Sequence, residues 1–470
     1  MSHEDSATAA TAATAYDAAL AAAARHARDW LGSVQSRPVA ARAGIDEITK
    51  ELGEELPAGP TPADQVIDEL AAAAEPGLVA MGSGRFFGFV IGGTLPAALG
   101  ADWLTSAWDQ NAGMRSVTPA VSALGDLARR WLLELLDLPR ECSVGWVTGA
   151  TSANFAALAA ARYHVLDRAG WNVEAAGLQG APRVRVLVGA EVHSSVEIAL
   201  RMLGLGAPES VAVDEQGRMR PDALAAAIAT GPAGGPLIVV LQAGNVHSGA
   251  FDDFSPLVAI AREAGAWVHV DGAFGLWAAA SPPLRALTAG MSGADSWATD
   301  AHKTLNATYD SGIVICADPT AHRAALGVHG PYLMQSEVGD PADFVPELSR
   351  RAREIVVWAA LRSLGRSGLE DLLAGLCHAA RRFADGLTAI PDVRVLNEVV
   401  YTQVCVGFAS DELAARVVRR VLEDGTAWMS GSRWHDQAIL RLSVSNATTT
   451  DADIDQSLAA LARIVTEESA

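Results

Sequence analysis

Positive charge is scarce in this chain of 470 residues: 35 lysines and arginines stand against 55 aspartates and glutamates, a formal charge of −20. Such a balance repels nucleic acid and anionic membranes, so neither is an expected partner; small ligands are another matter, because their sites are set locally. Cysteine is scarce too. Cys142, Cys316, Cys377 and Cys405 are scattered with no C-x-x-C spacing. That argues against a disulfide framework or a metal site and suits the reducing cytoplasm. No run of about 18 uncharged apolar residues occurs, so a membrane span is not expected. The opening "MSHEDSATAATAATAYDAALAAAARHARDW" lacks a basic segment ahead of an apolar core and does not read as a secretory leader.

What is present is regular. Residues 1–80 are Ala-rich with helical spacing, interrupted by "LPAGPTPADQ", and form an N-terminal helical segment. From Val147 onward, short apolar runs such as "RVRVLVGAEVH", "PLIVVLQAGNV" and "WVHVDGAFG" alternate with helical stretches such as "TSANFAALAAARYHVLDRAG". That alternation predicts an α/β architecture, a mostly parallel sheet with helices on both faces, over residues 81–365. "DSWATDAHK" and "SGIVICAD" have no helix between them, so that pair can be antiparallel. Residues 366–470 hold enough strand and helix for a small C-terminal α/β domain.

In open parallel sheets ligands bind beyond the carboxyl ends of the strands. The polar residues there are His193, Gly244 with Asn245, Asp271, and His302 with Lys303. "TGATSANFAAL" adds a turn opening a helix, at Gly149, Ala150 and Thr151, whose free N–H groups and dipole suit a phosphate. A lysine, a carboxylate and a phosphate-binding helix start are what pyridoxal phosphate requires: an amine for its aldehyde, an acid partner for its pyridine nitrogen, and an anion seat.

With these residues in view, the chain resembles the group II pyridoxal-phosphate-dependent decarboxylases, the family of aromatic-amino-acid, glutamate and histidine decarboxylases, from "GRFFGFVIGG" to "RSGLEDLL" and more faintly beyond. The resemblance implies the fold type I architecture of aspartate aminotransferase. It makes Lys303, in "TDAHKTLNATYDSG", the Schiff-base lysine, and Asp271, in "VDGAFG", the pyridinium partner. It places Ala273 and His193 on the two faces of the ring, and His302 near the phosphate beside Gly149, Ala150 and Thr151.

Fold and cofactor leave the reaction open, since one electron sink serves several bond cleavages. The family protonates the product carbon with a loop tyrosine that reaches the partner subunit's site. Tyr332, in "HRAALGVHGPYLMQSEVGDPADF", occupies that place. The implied protein is a cytoplasmic homodimer with shared active sites that decarboxylates an L-amino acid to an amine. The alternatives are decarboxylation coupled to oxidative deamination, carbon–carbon lyase chemistry, and a silent cofactor-binding scaffold. Departures from the family bear on the substrate. "GNVHSGAFDD" puts Asn245 and Val246 where hydroxyls are usual. Phe89 and Gly92 lie in "FFGFVIGG", near where relatives carry a polar substrate contact. Asn111 and Arg115, in "WDQNAGMRSVTPAV", would shape the wall given to the neighbouring subunit; a cation there either points to a polar or acidic substrate side chain or pairs with a surface carboxylate.

Overall fold

The computed structural model describes residues 3–327 and 339–469. Seven strands form the large sheet: β1 (Ser143–Val147), β2 (Arg185–Gly189), β3 (Glu209–Val211), β4 (Leu237–Gln242), β5 (Trp267–Asp271), β6 (Ser296–Asp300) and β7 (Gly312–Cys316). Their spatial order is β1-β7-β6-β5-β4-β2-β3. The run from β3 to β6 is parallel, and β7 is antiparallel to both β6 and β1, as the missing helix between the last two strands anticipates.

Apart from the edge strand β3, the strands are buried on both faces, so they read as nearly continuously apolar while their side chains alternate between two cores. Leu187, Val239, Leu241, Val268, Val270, Ile313 and Ile315 face one core. Val186, Val188, Ile238, Val240, Ala298 and Val314 face the other. Each fully buried Val, Leu or Ile contributes about 1.5–3 kcal/mol of transfer free energy. The helix Ala150–Arg168 lies over β5, β6 and β7 and can do so closely because its buried positions are mostly alanine.

A second sheet holds β8 (Arg394–Val395), β9 (Gln403–Gly407), β10 (Ser430–Trp434) and β11 (Gln437–Ser443), in the order β10-β11-β9-β8. The helices Asp411–Asp424 and Asp451–Ser469 contribute Leu413, Val417, Ile454 and Leu461 to its core. The helix Arg353–Leu387 runs between the two sheets and is broken at Gly365, where φ of +60° needs glycine. N-terminal helices His3–Ser33, Ile45–Leu52 and Ala63–Ala74 precede a segment whose Phe87 enters the core of the small domain. Among the described residues no helix is long and apolar enough to cross a membrane.

Candidate active site

A cavity of about 440 Å³ opens at the carboxyl ends of β4, β5 and β6. Asp271, the last residue of β5, is buried at its edge. Its Oδ2 accepts from Asn154 Nδ2 (3.1 Å) and its Oδ1 from the Ala273 N–H (3.2 Å). Both donors are neutral, and among the described residues no cation pairs with this side chain.

The helix Ala150–Arg168 starts on the cavity wall immediately after β1. Its first internal hydrogen bond runs from Ala153 N–H to the Gly149 carbonyl, which leaves the N–H groups of Ala150, Thr151 and Ser152 without helical acceptors. Asp300 takes one of them: its Oδ1 accepts from Ala150 N–H at 2.6 Å. A side chain at Gly312 would come within 2.4 Å of Gly149 Cα. The glycine pair therefore lets β7 press the turn into place.

Lys303 stands past the end of β6 in a turn, with Nζ 2.8 Å from Asp300 Oδ2. His302 accepts from Ser311 N–H at Nδ1 (3.1 Å), so the neutral ring carries its proton on Nε2, 3.6 Å from Asp300 Oδ2. Burial pulls the His302 pKa down, ahead of the opposing pull of Asp300. Tyr309 stacks on this ring at 4.1 Å, and burial, with Asp300 beside it, pushes its phenol up to about 12. His193 caps the helix Ser194–Met202, its Nδ1 accepting from Ser195 N–H (3.2 Å), and also lines the cavity. Burial lowers its pKa as well.

Lys303, Asp271, His193, Ala273, His302, Gly149, Ala150 and Thr151 thus meet around one cavity, with Phe89 at the same wall. Phe89 adopts φ of +53°, and its carbonyl accepts from Ser443 Oγ (2.6 Å) and Arg441 Nη2 (2.8 Å). Tyr332 lies outside the described residues.

Other expectations need correcting. Gly92 is not a position vacated by a substrate-binding side chain: a Cβ there would sit 2.0 Å from the Lys303 carbonyl oxygen, so the backbone of the lysine turn demands glycine. Arg115 is not a free cation. Its guanidinium holds both oxygens of Asp126 (2.7 and 2.9 Å) and the Gly339 carbonyl (2.8 Å). Asn111 Oδ1 accepts from Gly113 N–H (3.2 Å) and Arg350 N–H (3.4 Å), a turn-closing role away from its own chain's cavity.

Three ionisable cavity groups were missed in the sequence: Asp300, Tyr309 and Arg441. Asp300 and Tyr309 lie inside the quoted lysine motif, and the strand-end position of Asp300 was the available signal. Arg441 comes from β11, remote in sequence. It is buried, donates from Nη1 to the Val246 carbonyl (3.0 Å) and from Nη2 to that of Phe89, and has no acceptor for Nε.

The site fits pyridoxal phosphate. The volume is ordinary for a small-molecule pocket. An anion already sits at the helix start, in the form of the Asp300 carboxylate, and two further N–H groups remain there. The lysine and the ring-nitrogen carboxylate share the cavity.

Comparison with known proteins agrees. Residues 46–408 match the model of the pyridoxal-dependent decarboxylase conserved domain. A phenylacetaldehyde synthase of Arabidopsis thaliana is 25% identical over 94% of this chain and 93% of its own. An L-tyrosine/L-DOPA decarboxylase of Lophophora williamsii is 26% identical over 73% and 68%. The crystal structure of Oryza sativa TDC with PLP and tryptamine superposes with a TM-score of 0.89 at 23% identity, covering 96% of this chain and 98% of that one. The matched domain spans most of the sequence and contains Lys303, Asp271, His193 and the helix start at Gly149: the chain belongs to the pyridoxal-dependent decarboxylase family.

Proposed function

We propose that this protein is a pyridoxal-phosphate-dependent carboxy-lyase that removes the α-carboxylate of an L-amino acid, with the cofactor attached at Lys303. The observation that carries the reading is one cavity bounded by Lys303 Nζ, the Asp271 carboxylate and the first turn of Ala150–Arg168. When bound, pyridoxal phosphate supplies an aldehyde for an amine and a pyridinium ring that takes up the electron pair of a broken Cα bond. The rest is done by this chain. Lys303, paired with Asp300 here, would hold the cofactor through its aldehyde. Asp271 would hold the proton on the ring nitrogen, His193 and Ala273 would bracket the ring, and the helix start at Gly149, Ala150 and Thr151 would receive the phosphate with the helix dipole behind it.

His193 is kept neutral by burial, and with Nδ1 already accepting, its Nε2–H is the donor available to the cavity. Arg441 is a buried cation with carbonyl partners alone, placed to receive a carboxylate of the substrate. Tyr332, as in the family, would return a proton to the product carbon. Trp103, Leu104, Trp108 and Val117 are each about half exposed, which supports a homodimer in which these surfaces meet a second copy. The four free, buried cysteines support a cytoplasmic location.

Aromatic L-amino acids are the first substrates to test. Relatives are named for tyrosine and tryptophan decarboxylation, and the exposed Phe89 ring stands at the cavity wall. A second reading, an aldehyde product, is favoured by relatives named phenylacetaldehyde synthase and 4-hydroxyphenylacetaldehyde synthase. Lys50 and Lys303 are the chain's two lysines, which makes attachment easy to map. Borohydride reduction of the holoenzyme followed by peptide mass mapping is expected to place the cofactor on Lys303. A reduced adduct on Lys50 alone, or none in a protein that still consumes amino acids, would overturn the assignment.

A further inference from the structure

Behind Asp271 the interior contains a continuous line of polar side chains whose directions can all be deduced. Asp271 as a carboxylate can only accept, so the group Asn154 presents to Oδ2 must be its Nδ2–H (3.1 Å). That fixes the amide: Asn154 Oδ1 faces His269 Nε2 at 2.9 Å, and this nitrogen must carry the proton. His269 is fully enclosed, and burial pulls its pKa from 6.5 to about 4, so it holds a single proton at neutral pH. Its Nδ1 is then an acceptor and takes the Ser296 hydroxyl proton (2.9 Å). Ser296 Oγ in turn accepts from the Trp267 indole N–H (2.9 Å), which can only donate.

The second hydrogen of Asn154 Nδ2 points to Ser195 Oγ (3.2 Å). Ser195 Oγ lies 2.8 Å from His193 Nδ1, which also accepts from Ser195 N–H. The serine hydroxyl donates there, and the His193 proton stays on Nε2. One amide therefore anchors both Asp271 and His193. It is completely buried, and no member of the line from Trp267 to Asn154 carries a positive charge.

We propose that Asn154 is a positioning residue that aims the Asp271 carboxylate and the His193 ring at the cofactor together, and that His269 holds this amide in the one orientation that can do so. The inference rests on Asp271 being the ring-nitrogen partner, as proposed above. With His269 unable to donate, Asn154 Oδ1 loses its partner and the amide is no longer held with Nδ2 on Asp271 and Ser195. The carboxylate and the His193 ring are then free to swing away from the cofactor.

The test uses holoenzyme reconstituted with pyridoxal phosphate labelled with ¹⁵N in the ring, whose nitrogen resonance separates protonated from free pyridine. Asn154→Ala and His269→Phe are expected to move that resonance toward the unprotonated position. Cofactor affinity should fall about 10- to 150-fold, the range for losing a hydrogen bond to a charged group. His269→Gln can still donate to Asn154 Oδ1 and is expected to keep both readings near wild type, a rescue that packing alone would not give. Thermal unfolding of each holoenzyme checks that the fold survives; if His269→Phe does not fold, Asn154→Ala and the milder Ser296→Ala decide. A wild-type resonance in Asn154→Ala, or equal shifts for His269→Gln and His269→Phe, would overturn the proposal. Asp271→Asn separates the two levels: if it too leaves the resonance unmoved, the assignment of Asp271 has failed, whereas if it alone moves it, only the role of Asn154 has.

Discussion

Arg441 gives the sharpest test of how substrate is held. Its guanidinium is buried with 8% of its surface exposed, bonded to two carbonyls and to no carboxylate among the described residues. Burial itself pulls its pKa down. Removing a charge from water costs several kcal/mol per ion, and two carbonyl bonds offset this only in part. Such a group is poorly explained by stability and well explained by a ligand carboxylate. Arg441→Leu should therefore separate the two. Losing a hydrogen bond to a charged partner costs about 1.5–3 kcal/mol, or about 10- to 150-fold in KM at 1.4 kcal/mol per decade. The apo fold should change little. The substitution strands the Val246 carbonyl, while that of Phe89 keeps Ser443 Oγ, and it also removes a desolvated charge. The melting temperature is expected to stay within about 4 °C of wild type, the shift that about 1 kcal/mol produces in a sizeable domain. Carbon dioxide release at varied amino-acid concentration and scanning calorimetry measure the two quantities. An unchanged KM, or a melting temperature lowered by tens of degrees, would refute the reasoning.

Two further predictions rest on other parts of the chain. If sites are shared between subunits, inactive Lys303→Ala and Tyr332→Phe proteins should regain part of their amine production when mixed and allowed to exchange, because one site of the mixed dimer has both residues; no recovery despite demonstrated exchange would count against sharing. His322 is wholly buried, and burial depresses its pKa from 6.5 to about 3. Between those values the unfolded chain binds a proton that the folded one does not, so the stability due to neutral His322 is complete above 6.5 and is lost as pH falls toward 3. Urea unfolding of His322→Gln should show a pH dependence shallower than wild type by about 1.4 kcal/mol per unit between pH 4 and 6, and parallel curves would contradict it.

The parts of this molecule that are local in sequence were legible there. Lys303, Asp271 and His193 follow apolar strands, and the helix start at Gly149 follows another, so period and position mark them. Arg441 was not, because nothing near "AILRLSV" indicates that its strand lines the same cavity as Asp271. Asn154 reads as one more helix residue until His269, Ser195 and Asp271 are seen around it. Gly92 and Arg115 misled for a shared reason. A sequence shows which residue is present and not what it approaches: a carbonyl 2.0 Å from an added Cβ in one case, the carboxylate of Asp126 in the other.

The central claim is that this cavity breaks the bond from Cα to the carboxylate. The most direct measurement incubates holoenzyme with a panel of L-amino acids, aromatic ones first, and follows carbon dioxide, amine, aldehyde and oxygen consumption together. The account predicts carbon dioxide and amine in equal amounts, with no oxygen consumed. Carbon dioxide with aldehyde and consumed oxygen would move the assignment to the oxidative reading, and turnover of an amino acid without carbon dioxide would contradict the central claim.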